Sequence, residues 1–199
     1  MPDASRLAHF REGETKPKAW EPPTRFMPGR VLCIDQSLSA TGWVLVNSMG
    51  DRLHVHTAGS INTKPENYPN GYEGTLQRAL YVARRLDQVV KDAHGVDAVV
   101  HETPPLAVGR MSRPEASLLA SLGVRMAADK YGRRVVMVQN QHSKKVLLDV
   151  SRDVTKREWH GALNRYTIEG RELVTNEGQR DALCLALTHF IDELEHRRG

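Results

Sequence analysis

The chain has 199 residues, 40% hydrophobic and 26% charged, which allows one packed globular domain with or without a tail. No run of about 18 apolar residues is present to span a bilayer, and two cysteines, Cys33 and Cys184, are too few for a disulfide framework or the usual zinc site. A formal net charge of +4 with a pI near 9.2 modestly favours a polyanionic partner through phosphate attraction and counterion release.

Residues 1–29 scatter Pro17, Pro22, Pro23 and Pro28 among mixed charges without a sustained period. They read as an extended or disordered arm that Trp20 and Phe26 could pin to a neighbouring surface. Its start lacks the cationic end and apolar run of a secretory signal, so a cytoplasmic location with no membrane is expected. From Arg30 the pattern changes to RVLCID, TGWVLVNS and RLHVHTAGSI, separated by turn residues, which predicts three successive strands. After a turn-rich loop, Leu76, Leu80, Ala83, Leu86 and Val90 recur at helical spacing ahead of Gly95, a residue suited to a left-handed cap. VDAVVHE has the short apolar run of a central strand. RPEASLLASLGVRMAADKYG reads as a helix, and RRVVMVQ as a strand. Beyond Gln139 the patterned segments are helical, one opening with the capping-box pair Thr155 and Glu158, the last with Asn176 and Gln179. The order predicts an α/β domain over 30–199, with a mixed five-stranded sheet, its first three strands antiparallel, flanked by helices.

Three carboxylates interrupt apolar segments: Asp35 in the first strand, Glu102 at the end of VDAVVHE, and Asp181 in the last helix. A charge at the edge of a core is costly unless paired or bound to a cation, so three in one domain suggest a shared ligand, and hard oxygen donors suit Mg²⁺ or Mn²⁺. Any one of them alone reads more readily as a surface or capping residue. Glu177 stands four before Asp181 on the same helix face, where the dipole also favours an anion. His54 and His56 share a strand face without a third ligand nearby and read as surface residues, and His189 reads as a packed histidine.

VLCIDQSLSATGWVLV resembles the first motif of the RuvC-type Holliday junction resolvases, a strand ending on an aspartate, a small-residue turn, then Thr-Gly-aromatic. VVHETPP resembles the strand that ends on the family's catalytic glutamate, and RDALCLALTHF its closing Asp-Ala-Leu helix with a Thr-His pair. The three occur in family order between Arg30 and Glu195. The resemblance implies a ribonuclease H-like fold, a homodimer, and Mg²⁺-dependent cutting of branched DNA in recombination or repair, with Mn²⁺ able to substitute. It assigns the metal-binding and catalytic carboxylates to Asp35, Glu102 and Asp181. The family's fourth acidic position, three before the last aspartate, falls on Gly178, and Glu177 is the nearest substitute. Where the family has a base-contacting aromatic, this chain has Pro104, Pro105 and Leu106, so Leu106 or Met111 would have to act as an apolar wedge.

Lys145 and Lys156 match by spacing the family's phosphate-contacting lysines, and Lys156 would act in catalysis. Lys144, Arg152 and Arg157 add positive charge in the same stretch, and Arg110 and Arg113 follow the glutamate; these residues form a DNA-facing set or simply solvated surface. The arm and the altered motif would suit a phage-borne member acting in its host's cytoplasm. Other readings stay open: a broader fork and flap nuclease, a junction-binding protein with a weakened site, and, well behind, an actin-like ATPase. The last lacks the second Gly-rich phosphate loop it would need.

Overall fold

A computed structural model describes residues 25–104, 114–149 and 154–197. Three strands, β1 (Gly29–Asp35), β2 (Ala40–Ser48) and β3 (Leu53–Asn62), form an antiparallel meander. Helix α1 (Tyr72–Asp92) crosses one face to β4 (Ala98–Glu102), which pairs parallel with β1, and α2 (Pro114–Lys130) crosses to β5 (Arg134–Val138), parallel with β4. Three helices follow, α3 (Asn140–Leu148), α4 (Lys156–Ala162) and α5 (Glu177–His196), with the two-residue β6 (Ile168–Glu169) between the last two. The sheet order is β5-β4-β1-β2-β3-β6.

The sheet therefore has six strands where five were expected. Strand β6 lies parallel to the outer edge of β3, and two residues are too few to show the two-residue period by which a strand is read. Helix α3 is the second addition. Its buried side chains are only Ser143 and Leu147, so it has no apolar stripe to announce it.

Both faces of the central strand β1 are covered, which is why its apolar run is continuous. Val31 and Cys33 face one core with Val44, Val46, Ala98, Val100, Trp159 and the buried side of α5. Leu32 and Ile34 face the other with Val82, Leu86, Val90 and the inner side of α2. Both cysteines are free and buried. On α1 the buried row is Ala79, Val82, Leu86 and Val90. Leu80, expected in that row, is exposed, because the helix carries a second apolar stripe beside the core-facing one. Gly95 does take the left-handed conformation, with φ of 69°.

Of the N-terminal arm, residues 25–29 are described, with Gly29 already opening β1. Phe26 is buried against the first core, near the Tyr166 ring, while Trp20 lies outside the described residues. Among the described residues no helix is long and apolar enough to cross a membrane.

Candidate active site

Strand periodicity brings the first two carboxylates together. Val31, Cys33 and Asp35 alternate onto one face of β1, as Ala98, Val100 and Glu102 do on β4. Because β1 and β4 run parallel, both acids sit at the carboxyl ends of adjacent strands, where open α/β sheets place their ligand sites. Pairing is carried past Asp35 by a side chain: Gln36 Nε2 donates to the Glu102 carbonyl at 2.5 Å, and Gln36 Oε1 accepts from the Glu102 amide at 3.1 Å.

The third carboxylate arrives on α5. Asn176 caps this helix reciprocally with Gln179, and both side chains donate to Ser60 Oγ of β3, at 2.8 and 3.3 Å, which pins the helix start to the sheet. Gly42, opposite Asp35 on β2, permits the approach. A Cβ on Gly42 would lie 2.1 Å from the Gly178 carbonyl carbon, a distance no packing tolerates. Asp181 is thus held against the sheet, only 4% exposed.

Charge now has to be settled among buried acids. Burial, then the Asp181 and Glu102 carboxylates, push Asp35 up to about 8, so at neutral pH it is the protonated partner that donates to Glu102. Glu102 is also raised, chiefly by burial, although a hydrogen bond from Asn140 works against the rise. Burial would raise Asp181 too, yet it lies below its ordinary value because His160 and Lys156 both hydrogen-bond to it. Lys156 Nζ donates to Asp181 Oδ2 at 2.9 Å and to Glu177 Oε1 at 2.5 Å, while His160 Nε2 lies 2.5 Å from Asp181 Oδ1.

Asp35, Glu102, Asp181 and Lys156 are thus brought together. Glu177 stands apart from them: its side chain is 63% exposed and, among the described residues, pairs with the Nζ of Lys156. Lys145 and Arg157 are exposed on α3 and α4, and Lys144 Nζ lies 5.8 Å over the Trp159 ring. Arg110, Arg113, Arg152, Leu106 and Met111 lie outside the described residues. Away from the site, His54 is 3.6 Å from Glu169 and meets His56 edge-on, and His189 is buried against Phe190, with its basicity lowered by that burial.

Among the described residues, no three His, Cys, Asp or Glu side chains stand ready-grouped around an ion. The donor set nevertheless fits a divalent cation. Three carboxylates lie near enough to act on one another, one of them retains a proton because of its burial and of the other two, and a cation is the alternative to that proton. Beside Glu102, the buried Asn140 Oδ1 has no partner, which leaves an oxygen acceptor open at the site.

Sequence reasoning missed Gln36, Asn140 and His160. Gln36 and Asn140 act across strands, where no local pattern reveals them. A signal for His160 did exist: the Thr155 capping box starts α4 at Lys156, and four residues on the same helix face is His160.

The fold, a meander continued by parallel strands with helices on both faces, is of the ribonuclease H-like class. Within that class the chain resembles the RuvC-type Holliday junction resolvases. It is 35% identical over 83 residues to the crossover junction endodeoxyribonuclease RuvC of Rhodopseudomonas palustris, a stretch covering 42% of this chain and 44% of that protein. The structure of a Thermus thermophilus RuvC in complex with a Holliday junction substrate superposes with a TM-score of 0.66 at 20% identity, covering 84% of this chain and 96% of that one. The yeast mitochondrial Holliday junction resolvase Ydc2 gives 0.57 at 14% identity, covering 90% and 84%. Likeness at these identities establishes the shared fold. No protein-family profile matches the sequence.

Proposed function

We propose that the chain is a divalent-metal-dependent endonuclease that cuts four-way DNA junctions in recombination or repair, by paired hydrolysis from a homodimer. The observation that carries this reading is the meeting of Asp35, Glu102 and Asp181 at one end of the sheet, with Asp35 pushed up to about 8 by burial and by the other two. Acids with no shared ligand would have no reason to crowd together at a place so costly for their charge.

Asp35, Glu102 and Asp181 would hold Mg²⁺ or Mn²⁺, which when bound supplies an activated water and neutralises the leaving oxygen. Asp35 must give up its proton for that to occur. Lys156, 51% exposed and held between two carboxylates, is placed to turn from them to a phosphate oxygen and stabilise its developing charge. Lys144, Lys145 and Arg157, on the neighbouring α3 and α4, would hold the DNA backbone, together with Arg110, Arg113 and Arg152. Leu118, Leu122 and Met126 form an exposed stripe on α2 at four-residue spacing. Leu80 of α1 lies against the same groove as Met126. An apolar patch of this kind supports a partner there, and a second copy would give two sites for two strands.

Incision of an end-labelled four-way junction, beside a fork and a linear duplex, in Mg²⁺ and in EDTA tests the proposal. Paired, metal-dependent cuts in the junction are expected. Equal cutting of fork and junction would make it a broader branched-DNA nuclease. Binding without cutting in either ion would leave a junction-binding protein, the reading favoured by the bare fourth position at Gly178.

A further inference from the structure

The nuclease reading leaves open what fixes Asp181 when Lys156 moves to a phosphate. Helix α5 offers nothing for this among the described residues. Three positions before Asp181 stands Gly178, packed 3.3 Å from the Gly42 backbone and 3.6 Å from Asp35 Oδ2 when measured from an added Cβ. Glu177 points outward to Lys156. The remaining hydrogen bond to Asp181 comes from α4, where His160 Nε2 reaches Oδ1 at 2.5 Å.

His160 is built to stay. Its side chain is 14% exposed, against 51% for Lys156, and its ring stacks on Trp159 with centroids 5.7 Å apart and 26° between planes. Trp159 is itself 1% exposed, and its Nε1 donates to Ser143 Oγ at 3.1 Å, with Thr188 Oγ1 of α5 2.7 Å beyond. The imidazole is thereby tied, through one buried polar chain, to the same helix that carries Asp181. An ionised carboxylate only accepts, so the ring nitrogen facing it carries the hydrogen.

We infer that His160 is the positioning residue for Asp181: resting on the nuclease reading, its Nε2–H holds Oδ1 so that Oδ2 faces the metal position once Lys156 has turned away. Hydrogen-bond partners of metal-binding carboxylates typically alter metal affinity 10- to 100-fold when removed.

Mn²⁺ binding to the full chain, followed by loss of the free-ion electron paramagnetic signal, reads this directly and without turnover. His160→Leu is expected to weaken binding about 10- to 100-fold, while His160→Gln, whose amide can donate to the same oxygen, recovers most of it. Thermal melting of both variants in EDTA separates positioning from packing. Lost affinity that follows melting temperature, with no recovery by Gln, overturns the inference. Nitrogen coupling on the bound Mn²⁺ that disappears in both variants also overturns it, since His160 would then be a ligand itself. Wild-type affinity in His160→Leu removes the role from His160 while the nuclease reading stands, provided the wild-type chain binds Mn²⁺ and cuts. A wild-type chain that neither binds Mn²⁺ nor cuts sinks both.

Discussion

Asp35 occupies a place where strand pattern calls for an aliphatic side chain, and its protonation links that anomaly to a measurable quantity. Its value moves from 3.8 to about 8 on folding without metal. Between those two pH values the folded chain holds a proton that the unfolded chain has released, so rising pH destabilises the metal-free fold across this window. Asp35→Asn removes the group, and in EDTA its stability should therefore fall less than that of the wild type between pH 5 and 8. Parallel melting curves over that range would contradict the buried protonated pair. Gly42 is the second residue with a local test. An added methyl would meet the α5 backbone, so Gly42→Ala should cost about 1–3 kcal/mol and lose incision, although glycine contributes no side chain to the chemistry. An unchanged melt with unchanged cutting would show that α5 does not depend on this contact. Both acids on the strands were legible in the sequence because each broke an apolar run. His160 was legible only as a neighbour of Lys156 on one helix face; its tie to Asp181, 21 residues away, needs the docking of α4 on α5.

Element by element, the predicted pattern holds where burial is one-sided or complete, and fails where an element is short or polar. The continuous run of β1 and the helix caps at Thr155 and Asn176 were readable, since each follows from a local requirement. Strand β6 and helix α3 were not, because their formation depends on β3 and on Leu147 finding a core formed by distant residues. The α1 stripe was read one face too wide. Leu80 belongs to an outer surface that periodicity cannot tell from an inner one. Helix α4, with seven residues, is too short to be stable alone, so its position depends on Trp159. Trp159→Ala should lower unfolding free energy by about 3–5 kcal/mol in denaturant titration, and should release both Lys156 and His160 from Asp181. A variant that melts near wild type and still cuts would show that α4 is not held this way.

At the scale of the whole molecule, two features outside the site bear on how it would work. Positive charge is spread over α3 and α4, and the exposed apolar stripe of α2 lies on the opposite face of the sheet, which would leave the acidic end of a dimer free for DNA. Replacing Leu122 and Met126 together with glutamate should give a monomer by sedimentation and uncouple the two incisions of a junction. A monomeric wild-type chain on junction DNA would remove the basis for paired cutting. The central claim is that Asp35, with Glu102 and Asp181, forms a hydrolytic centre rather than a structural cluster. Its most direct test compares wild type and Asp35→Asn on one labelled four-way junction in Mg²⁺, reading binding and incision in the same samples. Binding retained within a few-fold while incision is lost by at least about 10³-fold, roughly 4 kcal/mol of barrier, is the expected result. Incision by Asp35→Asn at the wild-type rate would contradict it.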